Sequence, residues 1–547
     1  MGRLPLVGGC KLSDGSAGAL AINPDAAQLK LYSRDHAPRR QPSRMNPIWR
    51  NVASCILWLG FASCNDEIVV IGRFHAARDA SPVAFDAGDA AQEIDAAVSG
   101  SDAGPGSAPS GDVLAIEPGT RAQFCAGTGS ALRVVSAASA GPICTPGVGR
   151  RLFRYGVCVC NDLSVTQSLS TFTLDAFDSR NGPFDMGETG AALGVVGAMQ
   201  LANVVIGVSG TGIIAGGGDL LLSNTLSVDF SADFKTNASI ETTGGGVFHV
   251  GRDLWSAGNI HASVTTNVAR DVYQTPGHTG AETLVGVGGS RHTRSFAIEP
   301  PCSCGQDREL DIAALVTEAQ RANDNAELGV SAAALSDMLQ QAMVPDALAC
   351  GRFLVNGLSL PGGVLRTLTG RLALFIAGDL TLHGDFASDL TAEAEMDVFV
   401  SGDLKVQGSA QIGMPERPSA VRLYIAGSGA IELSDRVKLA AQMYAPHAPV
   451  KVTTPVLGTV VSYGSIAAAS FDVAAFFTMH YDRAVSELGD RCEGAPPSRC
   501  DSCEQCPFGL ACVEGACAAC RTDADCCQPL GCTDGKCQPL IYSAPMP

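Results

Sequence analysis

Aromatic side chains are scarce in this sequence, at 6% of residues, and charged ones make up only 17%. A lining that poor in rings and ions suits repetitive small-residue β structure better than an aromatic-rich enzyme core. Positive charge is short as well: 37 Lys and Arg stand against 55 Asp and Glu, for a net charge of −18. Such a body repels phosphate backbones, so nucleic acid is excluded as a partner. No apolar run reaches the ~18 residues that a membrane-spanning helix needs. Catalytic signatures are also missing. There is no Gly-x-Ser-x-Gly elbow, no Asn-Thr-Asp, Asp-Asp or Gly-His-Gly set of the polygalacturonase type, and no nonapeptide calcium repeat behind Gly216-Gly-Gly-Asp219. What the chain has is glycine, 62 of 547 residues, and room for two to four domains.

The glycines are patterned. Leu374-Phe-Ile-Ala-Gly378-Asp379-Leu380 recurs as Val398-Phe-Val-Ser-Gly402-Asp403-Leu404, so that Asp379 and Asp403 stand 24 residues apart. Leu423-Tyr-Ile-Ala-Gly427-Ser428-Gly429 is a weaker copy, and Val247-Phe-His-Val-Gly251-Arg252-Asp253-Leu254 an upstream one. Each unit is a β-prone run, a Gly/Asp corner and a second alternating run, and none can bury its apolar side alone. Stacking such units produces a β-solenoid. Glycine at the corner permits positive φ, and Asp can bond its own turn backbone. Gly251, Asp253, Gly378, Asp379, Gly402 and Asp403 are therefore structural turn residues. Corners at Asp219, Asp253 and Asp271 are separated by 34 and then 18 residues, which implies irregular rungs.

In chain order, residues 1–44 are Arg/Pro-rich and non-periodic, and read as an over-extended start before Met45. Residues 45–64 have the layout of a signal peptide: a short n-region with Arg50 and an apolar h-region, Val52 to Ser63. Phe61-Ala62-Ser63-Cys64 resembles the bacterial lipobox, which makes Cys64 the lipidation site and a membrane the first partner. An ordinary secretory signal is the other reading. Residues 65–112 form an acidic Ala/Asp/Gly/Ser/Pro linker, too poor in apolar residues to fold. Residues 113–305 are a first β-rich solenoid section. Residues 306–349 are a helical insert, with Leu310, Ile312, Leu315, Val316 and Ala319, then Leu335, Met338, Leu339 and Ala342, at helical spacing behind a Ser331 cap. Residues 350–486 are the second solenoid section, and 487–547 a cysteine-rich module. The fold class is mainly β: β-helix-like repeats with a short helical insert and a small disulfide-rich C-terminal module.

The motifs Leu374 to Leu380, Val398 to Leu404, Tyr444-Ala-Pro-His-Ala, Tyr463-Gly-Ser-Ile-Ala and His480-Tyr-Asp482 together resemble an uncharacterised domain of exported bacterial proteins, also found in pilus-assembly components. With Pro301-Cys-Ser-Cys304 and Asn323-Asp-Asn325, the chain is similar to lipoproteins of myxobacteria-like bacteria. The resemblance covers about two-fifths of the chain, centred on 350–485. It implies a β-solenoid in an envelope setting and transfers no catalytic residue.

Eleven of the 21 cysteines lie between Cys492 and Cys537. Cys503-x2-Cys506 and Cys517-x2-Cys520 have zinc-ribbon spacing, but the adjacent Cys526-Cys527 and the inferred export favour disulfides. The run to Cys532 and Cys537 resembles Dickkopf-type modules. The disulfide candidates are Cys125, Cys144, Cys158, Cys160, Cys302, Cys304 and Cys350 upstream, with Cys350 bridging to Cys302 or Cys304. In the tail they are Cys492, Cys500, Cys503, Cys506, Cys512, Cys517, Cys520, Cys526, Cys527, Cys532 and Cys537. Eleven is odd, so one tail cysteine must pair elsewhere, bind outside the chain or stay free. With Cys64 lipidated, eighteen remain and can all pair.

Asp219, Asp253, Asp379 and Asp403 are read as one recurring turn position, because catalytic residues have no reason to repeat. His480, Tyr481 and Asp482 complete the last rung, and Trp255 and Tyr424 are weighed as exposed sugar platforms against ordinary packing. No metal or cofactor is expected. The expected function is a non-catalytic envelope lipoprotein with a structural or adhesive role, its partners being the membrane, envelope polysaccharide or surface proteins. The alternatives are a polysaccharide-active β-helix enzyme and a binding component of a pilus or secretion apparatus.

Overall fold

A computed structural model describes residues 112–136, 147–488 and 500–539, apart from 168–169, 186–190, 204, 209–213, 226, 306–308, 342–347, 349, 385, 455–457, 501–502, 504–505, 507–508 and 528–529. Cys64, Cys144 and Cys492, the signal peptide and nearly all of the linker lie outside them.

The body is a parallel β-solenoid of about 12 turns. Each full turn lays down three short strands, one on each of three sheets, here sides A, B and C. Phe234–Thr236, Ile240–Thr243 and Val247–Val250 form one such turn. The next is Leu254–Ser256, Ile260–Ala262 and Thr265–Val268, paired in parallel to the first, strand on strand. Alternation does the sorting: Leu254 and Ser256 are buried while Trp255 between them is only partly so, because successive side chains of a strand point to opposite faces. Inside, Phe230, Phe234 and Phe248 pack ring on ring, as do Phe172, Phe471 and Phe477.

Spatial order departs from chain order. The last turns of the C-terminal half, Thr459–Val473 and Phe476–Asp482, pair in parallel with Val157–Val159, Leu163–Val165 and Thr171–Phe177, the first turn of the N-terminal half. The two sections are thus one coil running 351 to 482 and then 157 to 293. The chain enters at this seam, winds out to Thr293 and returns along side A. It re-enters at the opposite end with Gly351–Leu360 and winds back to the seam. His480, Tyr481 and Asp482 therefore sit inside the stack instead of on its last rung.

Three disulfides fix this path. Cys158–Cys302 and Cys160–Cys304 pin the returning chain to the seam turn, and Cys125–Cys350 ties its far end to the N-terminal layer. Cys350 does not bridge to Cys302 or Cys304, because those two partners lie half a solenoid away from it. The first section also differs from its sequence reading at its start. Asp112–Ile116 and Leu132–Ser136 form a separate antiparallel pair outside the coil, and the coil proper begins at Val157.

The helical insert folds as α-helices α1 (Ile312–Ala319) and α2 (Ala332–Gln340); Ile312, Leu315, Val316 and Ala319, then Leu335 and Leu339, are buried, Met338 is half-buried, and Ala342 lies outside the described residues. It also closes the end of the coil. The open edge of Gly351–Leu360 would expose unpaired backbone groups. Asp324 and Arg352 exchange two bonds there: the Arg352 N–H donates to Asp324 Oδ2 at 2.7 Å, and the Asp324 N–H to the Arg352 carbonyl at 2.7 Å. The Asn325 amide donates to the Leu354 carbonyl at 2.7 Å and accepts from the Leu354 N–H at 3.0 Å. Ser336 Oγ accepts from the Asn356 N–H at 2.9 Å. Side chains thus take the place of a neighbouring strand. Replacing Asn325 by Leu leaves the buried Leu354 N–H and C=O unpaired, and should cost about 2 kcal/mol in urea unfolding, together with concentration-dependent association.

Candidate functional site

Two ladders of polar side chains run along the corners of the coil. At the corner between sides A and B, Asp162 Oδ1 accepts from the Ala198 N–H, and Asp219 Oδ1 from the Ser239 N–H. Ser239 Oγ in turn takes the Asn259 N–H, and Asn259 Oδ1 the Thr279 N–H. Asp379 and Asp403 occupy the same corner in the C-terminal half, where Asp379 accepts from Asp403 N and Asp403 from Gly429 N, at 3.0 and 2.8 Å. At the corner between sides C and A, Asp233 accepts from Asp253 N, Asp253 from Asp271 N and Asp271 from Ser290 N. Each carboxylate holds the backbone of the next rung.

The turn reading of the aspartates needs two corrections. Asp219, Asp379 and Asp403 share one corner, but Asp253 belongs to the other. The 34-residue interval therefore joins unlike corners and marks no irregular rung. Its true neighbour is Asp233, hidden in Ser231-Ala-Asp233-Phe234 because no glycine flags it. The glycines divide as well. Gly378 has a positive φ of 131°, whereas Gly251 and Gly402 are needed for close approach. A Cβ at Gly402 would meet Asp379 Oδ1 at 2.3 Å, and one at Gly251 would meet the Ser231 carbonyl oxygen at 2.4 Å.

Asp233, Asp253 and Asp271 put three carboxylates on adjacent rungs. Burial, with the charge of its neighbours, raises the Asp253 carboxyl above the usual range against the pull of the Asp271 N–H. The Ser290 N–H holds Asp271 low. Arg252 and Lys235 lie 3.5 and 3.6 Å from the Asp233 carboxylate, and His292 lies 3.5 Å from Asp271. Asp379 is held low by its hydrogen bond to Lys405. A raised carboxyl beside an ionised one is the raw material of acid–base work, but here every member is already bound to a backbone N–H.

A second polar cluster lies under the N-terminal layer on the outer surface of side A. The Arg422 and Asp397 side chains are fully buried, joined by bonds of 2.7 and 2.9 Å. Asp397 also accepts from the Ala131 N–H, and Arg422 donates to Glu395 at 3.0 Å. Arg371 donates to the carbonyls of Phe124, Gly129 and Ser130 and pairs with Glu117 at 2.7 Å. Tyr424 is fully buried in a stack with Phe399 and Phe375, centroids 4.6 and 4.7 Å apart, so it is no sugar platform. Neither is Trp255, which stacks on Tyr273 at 3.8 Å, has Lys235 of the preceding rung over its ring, and is flanked by Arg294 and Phe296. The returning chain covers it there, held by two hydrogen bonds between Asn237 and Ile298.

At the seam His480 pairs across the two halves, its Nδ1 2.5 Å from Asp175 Oδ1, and Phe184 stacks over its ring at 3.8 Å. Its neighbour Asp482 points elsewhere and is buried, accepting from Ser179, Ala484 and Ser419. In the tail, the ten described cysteines form Cys500–Cys512, Cys503–Cys527, Cys506–Cys517, Cys520–Cys532 and Cys526–Cys537. Their thiolates are consumed, which removes the ligands of a zinc ribbon. Two 20-residue repeats, each paired first to third and second to fourth and linked by Cys503–Cys527, need no partner from the body.

The chain is therefore a β-solenoid with a disulfide-rich C-terminal region. Residues 306–488, about a third of the chain, match the model of a family described as a domain of unknown function (DUF7305). The match takes in the helical end-cap as well as the turns from 351 to the seam, so it starts earlier than the repeats alone suggest. No curated protein and no solved structure matches the chain.

Two outcomes are expected at the buried cluster. Replacing Asp397 by Ala removes the fully buried counter-charge of Arg422, leaving Glu395 alone to pair with it, and should cost about 3–5 kcal/mol in urea unfolding. Burial pushes Glu395 up, but Arg422 and the Gly129 N–H outweigh it and hold the carboxyl below its ordinary value. A carboxyl lowered on folding stabilises above its unfolded pKa, and that contribution is lost as pH falls through the folded value. Acid titration followed by circular dichroism should show this loss below about pH 4.5, and Glu395→Gln should flatten it.

Proposed function

We propose that this protein is a non-catalytic envelope lipoprotein whose solenoid has a structural or adhesive role, anchored to a membrane through a lipid on Cys64. The observation that carries the reading is the use of the corner carboxylates: Asp162, Asp219, Asp233, Asp253, Asp271, Asp379 and Asp403 each accept a backbone N–H from the neighbouring rung. Carboxylates so engaged stiffen the coil and present a regular polar surface. All sixteen described cysteines are in disulfides, the pattern of an exported protein. The lipid, the outer-membrane location and binding to envelope polysaccharide or surface proteins are inferences from the lipobox-like segment and the repetitive faces.

A polysaccharide-active enzyme is the second reading, favoured by the raised Asp253 between Asp233 and Asp271. It predicts that Asp253→Asn abolishes turnover of an envelope polysaccharide while the fold persists. The envelope reading predicts no turnover by either form.

Expression in a bacterial host tests the anchor. The wild type should fractionate with membranes and begin at a diacylated Cys64 by mass spectrometry, and Cys64→Ala should move it to the soluble fraction. Equal distribution of the two forms would contradict the anchor.

A further inference from the structure

The coil's two ends are finished differently. At the 351 end, Asp324, Asn325 and Ser336 occupy the side A edge, and α2 lies across the core. At the other end the interior is closed, because Arg291 donates to the Ala281 and Leu284 carbonyls. The edge is not. Arg291–Thr293 pairs with Val272–Gln274 on one side, and among the described residues no strand pairs with its other side. Arg270, which precedes the paired strand, and Arg294, which follows the edge strand, are exposed in a chain whose net charge is −18, while Arg291 is spent on the interior carbonyls and His292 faces Asp271 at 3.5 Å.

We infer that the Arg291–Thr293 edge is a docking site for an extended acidic segment of a partner protein, which adds one strand to side A. An open strand edge supplies main-chain donors and acceptors for such an addition. The exposed Arg270 and Arg294 select acidic partner residues. A second copy of this chain fits less well. Strands of about three residues are only about 10 Å long, so an end-on contact falls far below the roughly 800 Å² per partner of a stable interface. Two basic ends would also repel, and the opposite end has no free side A edge to offer. This site is independent of the lipid anchor, and the last corner carboxylate, Asp271, holds the Ser290 N–H at its start.

The test uses the full mature chain and a fluorescein-labelled alternating valine–aspartate octapeptide, with its valine–lysine counterpart as control. Fluorescence anisotropy should show the acidic peptide binding at least about ten-fold tighter, with the preference shrinking as salt rises. Arg270→Glu, at a solvent-exposed position, should weaken that binding several-fold. Hydrogen exchange should slow at residues 286–293 on peptide addition. Equal binding of both peptides, no binding, an unchanged Arg270→Glu variant or protection elsewhere in the chain would each overturn the proposal. So would a dimer in sedimentation whose formation itself slows exchange at residues 291–293, because a second copy would then be the occupant.

Discussion

The structure depends on the backbone pairing at the seam, where strands 459–473 and 476–482 lie parallel to strands 157–177. Without it there would be two half-coils, each ending in an open parallel edge. With it, the strands from 351 to 482 and from 157 to 293 stack as one coil. The seam also dictates the rest of the chain path. A segment that finishes winding at Thr293 must travel back past the seam to reach Gly351, and side A is the surface it follows. The paired disulfides Cys158–Cys302 and Cys160–Cys304 hold it where it crosses. His480 and Asp175 add a polar contact between the halves on side C.

Covering side A changes which surfaces remain for function. Rings and ions that would mark a binding face, Tyr424, Trp255, Arg422 and Asp397, are enclosed by the N-terminal layer, the helices or the returning strap. Buried charges are tolerated there because each is paired: Arg422 with Asp397 and Glu395, Arg371 with Glu117 and three carbonyls, Arg352 with Asp324. Sides B and C carry the exposed polar positions, and the corner ladders keep them at rung spacing. The proposed structural or adhesive role rests on that regular polar surface.

Much of the fold is legible in the sequence. The Gly-Asp repeats at Asp379 and Asp403 set the rung length, and the alternating runs give the inward and outward positions. The apolar stripes of 310–342 give two helices, and cysteine crowding gives the tail. Three things are not legible, each for a physical reason. Corner identity fails at Asp219 and Asp253, because one hydrogen-bonding role recurs at two corners and Asp233 has no flanking glycine. Stacking order fails because any parallel rung edge is complementary to any other, so local pattern does not say which turn meets which. One signal for it exists. The twin Cys-x-Cys motifs at 158/160 and 302/304 match the two-residue repeat of outward positions on one strand, and so point to a parallel cross-link. The edge-capping role of Asp324 and Asn325 leaves no trace in hydrophobic periodicity, since it rests on side-chain amide and carboxylate groups replacing a strand.

Non-reducing peptide mapping of the mature protein tests the permuted coil most directly. The account predicts Cys158–Cys302, Cys160–Cys304 and Cys125–Cys350 as the disulfides of the body. A bond from Cys350 to Cys302 or Cys304 would contradict it, since the returning chain could not then run from the seam to the far end of the solenoid.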